Sequence, residues 1–283
     1  MNNKKKEFLN KLQNFSKELT KYVSDKVDNW KVKGFIDIEE NIYTISSDTK
    51  IISKILEIQP FPKLQKFADQ NGYYIVLAEK QNWYPDLSFV NKENPKIKFA
   101  VDIKTTYRLD DNDAFCNGFT LGSHGEYFRK RTSTKNIQFP YAEYNSHICL
   151  GILYTRALSI DIDETKILKL NELDKITSVI NNLVFFAEEK WKISSDRGGS
   201  GNTANIGSIQ YINDILNGNG VFKNLGQKIF DEYWVNQGVL KVPDPKKDGE
   251  FKKLTKLTEF LQFKGISSDK INPMKPKRKN KKK

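Results

Sequence analysis

Two aspartates and a lysine form the pattern whose chemistry is easiest to name. Pro85-Asp86 is followed, after fifteen further residues, by Asp102-Ile103-Lys104. Carboxylate oxygens are ligands that Mg²⁺ favours, and a cation bound there polarises a phosphoryl oxygen and helps to generate hydroxide. An ammonium group beside it orients the attacking water or stabilises developing charge. This combination suits phosphodiester hydrolysis, although such a short pattern also describes ordinary solvent-facing residues of an amphipathic strand.

A β-hairpin would have to position these side chains. Residues 73–79, 84–90 and 96–107 are rich in β-branched and aromatic residues, which predicts three short strands. Residues 91–95 carry the asparagines and the proline of a turn. The last two strands would therefore pair with each other in antiparallel fashion.

The register of that hairpin would bring Asp86 beside Asp102. Because side chains alternate along a strand, Asp102 and Lys104 would share one face, whereas Val101 and Ile103 would fill the opposite, buried face. An aspartate inside an apolar strand is costly unless it is paired or bound to metal. The surroundings of Asp102 therefore favour a functional role over a solvated one.

The rest of the chain alternates between helical and extended patterns. Apolar residues at three- and four-residue spacing predict a helix at 8–23, and Ser47 or Asp48 would cap a second helix, whose length Pro60 and Pro62 limit. The other expected elements are a strand at 147–158, a helix at 176–189, a strand at 190–195, and helices at 209–216, 228–234 and 252–263. The fold class is therefore predicted to be α/β, with a central mixed β-sheet flanked by helices.

The positive net charge of the chain favours a polyanionic partner. The chain has 47 Lys+Arg against 35 Asp+Glu, a formal net charge of +12. Seven basic side chains fall in residues 275–283, a pattern typical of a solvated, disordered terminus. Such a tail attracts any polyanion and speeds encounter with it.

The small number of cysteines and histidines argues against a disulfide framework and against a metal site built from these residues. Cys116 and Cys149 are too few for a disulfide framework and form no CxxC pair, and two histidines cannot build a metal cluster alone. We find no signal peptide and no apolar run long enough to span a membrane. A cytoplasmic protein with no membrane partner is expected.

Several sequence blocks resemble one nuclease family. They are Tyr84-Pro85-Asp86, the run from Ala100 to Tyr107, the run from Gly199 to Ile209, and shorter blocks at 47–50, 119–122, 134–137 and 154–156. In this order, and over residues 42–222, they are similar to the EcoRV-like type II restriction endonucleases of the PD-(D/E)xK superfamily. Agreement this dispersed is more specific than the catalytic pattern alone.

The resemblance implies a set of catalytic residues and a cofactor. The family's metal-binding aspartates fall on Asp86 and Asp102, its lysine on Lys104, and its accessory helix carboxylate on Glu57. Without the resemblance, the sequence around Glu57 is typical of a solvated helix residue. The implied cofactor is Mg²⁺.

The resemblance also implies how DNA is read. The glycine-rich run at 199–205 falls on the family's recognition loop, where glycines let the backbone approach base edges and an asparagine amide suits adenine. Unaided, that run reads as a flexible surface turn. The implied base-reading residues are Gly199, Gly201, Asn202 and Thr203 in the major groove and Asn82 in the minor groove. The implied phosphate contacts are Lys50, Thr105, Thr106 and Lys135.

The implied substrate is double-stranded DNA with the palindrome GATATC, cut bluntly at its centre. A palindrome implies a two-fold homodimer, in which the helix at 8–23 is a candidate interface, although packing within its own subunit explains it equally well. A companion DNA methyltransferase in the host is also implied. Two positions depart from the family: Ala204 replaces a second threonine, and Trp83 replaces a histidine.

The expected organisation is a single domain over residues 1–265, with the catalytic and recognition core at 73–222 and a basic, disordered tail at 266–283. Two other functions stay open. One is a nuclease of the same superfamily with another specificity, such as a repair or recombination enzyme. The other is a DNA-binding protein that has lost catalysis, which the intact trio opposes, because unmetallated carboxylates facing phosphates would weaken DNA binding.

Overall fold

The computed structural model describes residues 2–157, 162–199, 204–244 and 249–276. Its helices are α1 (Asn2–Val23), α2 (Thr49–Ile58), α3 (Phe61–Gln70), α4 (Glu126–Arg129), α5 (Ile212–Leu216), α6 (Gly226–Asn236) and α7 (Leu257–Phe263). Its strands are β1 (Gly34–Ile36), β2 (Ile42–Thr44), β3 (Tyr73–Leu77), β4 (Leu87–Asn91), β5 (Lys98–Leu109), β6 (Asn112–Cys116), β7 (Thr120–Ser123), β8 (Ser146–Arg156), β9 (Ile167–Leu168), β10 (Ile180–Glu189), β11 (Ser194–Gly198), β12 (Asn205–Ser208), β13 (Lys241–Pro243) and β14 (Phe251–Lys253).

A mixed sheet lies at the centre of the molecule. Its strand order is β10-β8-β5-β4-β3, with β6 paired to β5. The β5–β8 pair is parallel, whereas the other pairs are antiparallel. The predicted α/β fold with a central mixed sheet is therefore confirmed.

Alternation along β5 builds two hydrophobic cores, one on each face of the sheet. Phe99 and Val101 join the core beneath α1, α2 and α3, whereas Ala100 joins the core that contains α6 and α7. Helix α1 lies on the first face, where the Phe8 ring stacks on Phe99 with 4.1 Å between centroids. Its apolar stripe is thus covered by the chain's own sheet.

The expected start of the second helix is confirmed, and a further helix follows it. Asp48 caps α2 by accepting hydrogen bonds from the backbone N–H groups of Lys50 and Ile51. Pro60 and Pro62, read as limits to that helix, also start α3. Pro62 lies in its first turn, where a missing N–H and a fixed φ are tolerated.

The helix predicted at 176–189 is wrong, because residues 180–189 form strand β10. Both faces of this strand are covered, so its centre is a continuous apolar run, Leu183 to Ala187, rather than an alternating one. Such a run cannot be distinguished from a buried helix by periodicity. The strand predicted at 190–195 is also displaced: residues 190–192 form a 3₁₀ turn, and β11 begins at Ser194.

The C-terminal expectations need two further adjustments. The helix predicted at 252–263 is correct only from Leu257, because residues 251–253 form β14 and residues 254–256 connect it to α7. The tail expected to be disordered from residue 266 packs against the body as far as 276. Among the described residues, no helix is both long and apolar enough to cross a membrane.

Candidate active site

The β4–β5 ladder sets the position of the two aspartates. Leu87 pairs with Val101, so residue 86 lies across from residue 102 at the end of β4 that is farthest from the turn. The Asp86 Oδ2 atom accepts a hydrogen bond of 2.7 Å from the backbone N–H of Ile103. The structure thus brings Asp86 and Asp102 together as the hairpin predicted.

Two lysines contact the buried carboxylate of Asp102. The Lys104 ammonium lies 2.7 Å from Asp102 Oδ2 and 3.9 Å from Asp86 Oδ2. The second ammonium, of Lys190, lies 3.0 Å from the same Asp102 oxygen and 4.1 Å from the centre of the Tyr84 ring. Asp102 is buried, whereas Asp86 is more open to solvent.

Lys190 lies beside the candidate site, although the sequence gave no indication of this position. It follows Glu188 and Glu189, so locally it resembles a surface charge at the end of a helix. Only the pairing of β10 with β8, and of β8 with β5, carries it into the interior beside Asp102. Its buried positive charge is tolerated because a carboxylate lies within hydrogen-bonding distance.

The surroundings shift the pKa values of the two aspartates in opposite directions. Burial and the nearby Asp102 carboxylate raise the pKa of Asp86 above its ordinary value. Burial also opposes ionisation of Asp102, yet Lys104 and Lys190 together hold its pKa below the usual range. The pKa of Lys104 is raised despite burial, because both carboxylates favour its charged form. In the absence of a further cation, Asp86 is the less stable of the two anions.

These residues fit a magnesium ion. Among the described residues, no group of three or more His, Cys, Asp or Glu side chains is arranged to hold a metal. Mg²⁺ does not need such a group, because it commonly takes one or two carboxylates and completes its shell with water and substrate phosphate. Burial and the Asp102 carboxylate raise the pKa of Asp86, and a divalent cation bound there would favour its ionised form.

Glu57 lies on α2, outside the pair of aspartates. Its carboxylate is 2.8 Å from the Lys54 ammonium. The pKa of Lys54 is raised mainly by Glu57 and, to a smaller extent, by Asp86. The charge of Lys54 therefore interacts with both Glu57 and Asp86, and the Glu57 carboxylate is paired with that lysine.

A cleft of about 500 Å³ opens over the aspartates and Lys104. Asn82, predicted to reach the minor groove, lies in its wall together with Trp83. Lys135, a predicted phosphate contact, also lines the cleft, where its ammonium is 3.2 Å from Glu126. The cleft thus combines the two aspartates and Lys104 with the side chains predicted to contact DNA.

The other predicted phosphate contacts differ in their exposure and in their hydrogen-bond partners. Lys50 is exposed in the first turn of α2, and the Thr105 hydroxyl shares a hydrogen bond with Ser53 on the same helix. Thr106 is buried, and its hydroxyl donates to the backbone carbonyl of Asn117. In this conformation the Thr106 hydroxyl is bonded to the segment that follows β6 and is not available to a phosphate.

A hairpin of β11 and β12 carries the predicted recognition run. Gly199 donates its N–H to the Asn205 carbonyl at 2.7 Å, closing the base of the hairpin, whereas Gly201, Asn202 and Thr203 lie outside the described residues. A Cβ on Gly199 would stand 2.6 Å from Thr120 Cγ2, so this position requires glycine's small size.

Strand β7 joins the hairpin to the cleft. It pairs with β12, and its residues Thr120, Gly122 and Ser123 line the cleft. The Ser123 hydroxyl donates to the carbonyl of Ala204. Recognition run and aspartates are therefore connected through one short strand, which would fix their relative position.

Comparison with known proteins agrees with this arrangement. The family model of the restriction endonuclease EcoRV matches residues 26–265. The type II restriction enzyme EcoRV of Escherichia coli is 36% identical over 220 residues, which are 77% of this chain and 87% of that protein. The match spans the mixed sheet, the cleft and the β11–β12 hairpin, so the chain belongs to the EcoRV family of type II restriction endonucleases and is a site-specific deoxyribonuclease.

Proposed function

We propose that the enzyme hydrolyses double-stranded DNA at GATATC, cutting bluntly at the centre and leaving 5′-phosphate and 3′-hydroxyl ends, with Mg²⁺ as its cofactor. The observation that carries the chemistry is the convergence of Asp86, Asp102 and Lys104 at one end of the β4–β5 hairpin.

Each residue of the trio has a distinct task in this proposal. Asp86 and Asp102 would hold the cation, which supplies Lewis-acid stabilisation of the phosphoryl oxygens when bound. Lys104 would orient the attacking water and stabilise the negative charge that grows at phosphorus. As the water oxygen bonds to phosphorus, the bond to the 3′ oxygen breaks; overall, the hydroxyl of the water stays on phosphorus and its other proton passes through solvent to the departing 3′ oxygen. Lys190 would act through Asp102, holding its carboxylate in place.

We assign Glu57 an accessory role at the same site, as a carboxylate that can approach the metal once Lys54 moves away. The short ion pair between them is exposed enough to exchange partners at small cost. Lys50, Thr105 and Lys135 would position the DNA backbone, and Thr106 would do so only after its hydroxyl leaves Asn117.

Specificity for GATATC rests on the recognition run, in which Gly199, Gly201, Asn202 and Thr203 match the family pattern. These residues would read the major groove, and Asn82 would contact the minor groove from the cleft wall. Ala204 and Trp83 are the two departures. The Ala204 carbonyl accepts hydrogen bonds from His124 and Ser123, so this residue would help to position the run through its backbone.

A palindromic site implies that two subunits act together, one on each strand. We propose a homodimer whose two clefts face the two strands. The N-terminal helix could contribute its solvent-facing side to the interface, because its apolar side is occupied by the sheet. Sedimentation analysis of the free protein and of its complex with DNA tests this assembly.

The proposed activity also implies a second enzyme in the host cell. An enzyme that cuts DNA at a short palindrome must spare the host chromosome, so a companion methyltransferase is expected, although not as a binding partner. We propose the cytoplasm as its location, because the proposed DNA substrate is found there.

The experiment that tests the function is digestion of a plasmid with one GATATC site, with Mg²⁺ and with EDTA, followed by sequencing of the ends. We expect blunt, metal-dependent cutting at that site alone. Cutting at another sequence, or staggered ends, would overturn the specificity and keep the chemistry. Folded protein that binds DNA without cutting would favour a silent DNA-binding protein.

A further inference from the structure

A second buried cation shares the carboxylate of Asp102 with Lys104. The Lys190 ammonium lies 3.0 Å from Asp102 Oδ2, the same oxygen that the Lys104 ammonium approaches to 2.7 Å. Together with Asp86, this cluster contains two carboxylates and two ammonium groups, so its formal charges cancel when all four groups are ionised. A divalent cation that binds the two aspartates therefore meets a site whose negative charge is already balanced.

The two lysines differ in their freedom to withdraw from Asp102. The Lys104 side chain is 24% exposed and lines the cleft, whereas the Lys190 side chain is only 6% exposed. The Lys190 ammonium also lies 4.1 Å from the centre of the Tyr84 ring, and a Cβ added to Gly122 would stand 3.4 Å from it. These contacts leave the Lys190 ammonium little space to move, whereas Lys104 can swing towards the cleft.

The Tyr84 ring that covers Lys190 is itself held in place. It stacks on the Tyr127 ring with 5.4 Å between centroids, and its hydroxyl shares a hydrogen bond of 2.9 Å with Nδ1 of His147. All three rings are buried. Lys190 is therefore a resident cation, which stays beside Asp102 when another cation approaches the aspartates.

We propose that Lys190 sets the metal affinity of the site, as a fixed positive charge that shares Asp102 with the metal and repels it. This rests on the proposed metal-binding role of Asp86 and Asp102, and it goes beyond the orienting role of Lys190. It does not depend on which DNA sequence is cut. Lys104 withdraws when the metal binds, whereas Lys190 remains, so its charge weakens metal binding to the free enzyme.

Neutral substitutions of Lys190 test the effect of its charge. Lys190→Met removes the charge and the hydrogen bond to Asp102, whereas Lys190→Gln removes the charge and keeps a hydrogen-bond donor. Lys80→Met is the control, because it removes the same formal charge from an exposed side chain. The Lys80 ammonium lies 5.3 Å from the centre of the ring of Trp83, which lines the cleft. Urea unfolding establishes that each variant is folded before metal binding is measured.

Titration of the free protein with Tb³⁺, without DNA, measures the affinity of the site. Tb³⁺ takes hard oxygen ligands as Mg²⁺ does, and nearby aromatic side chains excite its luminescence; Trp83 and Tyr84 line the same cleft as the aspartates. Displacement of Tb³⁺ by Mg²⁺ then gives the affinity for Mg²⁺.

We expect both Lys190 variants to bind Mg²⁺ about tenfold to a hundredfold more tightly than the wild type does, because a unit charge a few ångströms from the metal acts there through a poorly solvated interior. In contrast, the Mg²⁺ affinity of Lys80→Met should differ from that of the wild type by less than about threefold, because solvent and salt screen an exposed charge.

Unchanged or weaker Mg²⁺ binding in the Lys190 variants would overturn the proposed role, and so would an equal gain in Lys80→Met. The sign of the change separates this role from a merely structural one, because a displaced Asp102 carboxylate would be a poorer ligand and would weaken binding. Failure of the proposed function would appear separately, in Asp86→Asn, which should lose most of the Tb³⁺ binding. Unchanged binding in that variant would place the metal elsewhere and overturn the metal site together with the role of Lys190.

Discussion

At the scale of single residues, the site is a balance of two carboxylates and two ammonium groups. Asp102 is shared by Lys104 and Lys190, whereas Asp86 contacts Lys104 only at 3.9 Å. This asymmetry decides which substitution tests catalysis cleanly. Replacing Asp102 by alanine would leave Lys190 buried without its carboxylate, and a buried charge left in this way destabilises a protein by about 3–5 kcal/mol.

Asp86→Asn is the cleaner test of the metal site. It keeps the shape of the side chain and leaves both lysines paired with Asp102. Losing one carboxylate ligand should remove several kcal/mol of transition-state stabilisation, and about 4 kcal/mol corresponds to a roughly 10³-fold slower reaction. Single-turnover cleavage measures the rate, and urea unfolding is the control. Cleavage within a few-fold of wild type would remove Asp86 from the site.

Lys190→Met tests the lysine that the sequence did not reveal. Asp102 would keep Lys104 as its one buried cation, so we expect a loss of about 1–3 kcal/mol in the free energy of unfolding, less than for a carboxylate left entirely unpaired. Lys135→Met is the matched control, since its exposed pair with Glu126 should contribute less than about 1 kcal/mol. Equal effects of the two substitutions in urea unfolding would contradict the assigned role of the buried pair.

At the scale of secondary-structure elements, the β11–β12 hairpin depends on a close approach to β7. Gly199 allows it, because a side chain there would meet Thr120. The hairpin carries the run proposed to read DNA, and Thr120 also lines the cleft over the two aspartates. A displacement of the hairpin should therefore affect DNA cleavage more than folding.

Gly199→Ala should lower cleavage of the cognate site at least about tenfold, because a shift of the order of 1 Å can cost up to about 10²-fold in rate. The contact at 2.6 Å is with Thr120 Cγ2, and the next nearest atoms are at 3.5 Å. The double variant Gly199→Ala with Thr120→Ser removes that methyl group and should recover most of the activity, with Thr120→Ser alone as the control. A double variant as impaired as Gly199→Ala would show that the contact is not the cause.

At the scale of the whole molecule, stability should depend on pH through a buried histidine. His147 stacks on Tyr141 with 3.6 Å between ring centroids, and its Nδ1 shares a hydrogen bond with the Tyr84 hydroxyl. Burial, together with the positive charges of Lys190 and Arg131, lowers the pKa of His147 well below its ordinary value. The folded protein therefore keeps this ring neutral under conditions in which the unfolded chain protonates it.

This difference in pKa makes the protein less stable as the pH falls. Below the histidine pKa of the unfolded chain, about 6.5, the unfolded state binds a proton that the folded state does not bind. As the pH falls through this range, the free energy of unfolding therefore falls by up to about 1.4 kcal/mol per pH unit. Asp86 acts in the opposite sense, because its raised pKa makes the folded state take up a proton as the pH falls. The contribution of His147 is therefore read from the difference between wild type and His147→Gln in urea unfolding between pH 7 and 5. A difference independent of pH would contradict the prediction.

Much of the site was predictable because its determinants are local. The turn at 91–95 and the two-residue alternation along β5 fix the register of one hairpin, and that register alone brings Asp86 beside Asp102 and sets Lys104 on the same face. The capped start of α2 and the amphipathic pattern of α1 are local in the same sense. The family-specific blocks then implied the recognition run and its partners.

Tertiary structure decided what depends on residues distant in the chain. Strand β10 resembled a helix because its apolar run is continuous, and only pairing with β8 and coverage by α1 make it a strand. That pairing carries Lys190 to Asp102, although 88 positions separate them. Residues 266–276 are similar, because their apolar and amide contacts with the body show no period of their own along the chain. Sequence thus determined the chemistry of the hairpin, whereas the packed sheet decided which further charges surround it, because burial and long-range pairing leave no periodic signal along the chain.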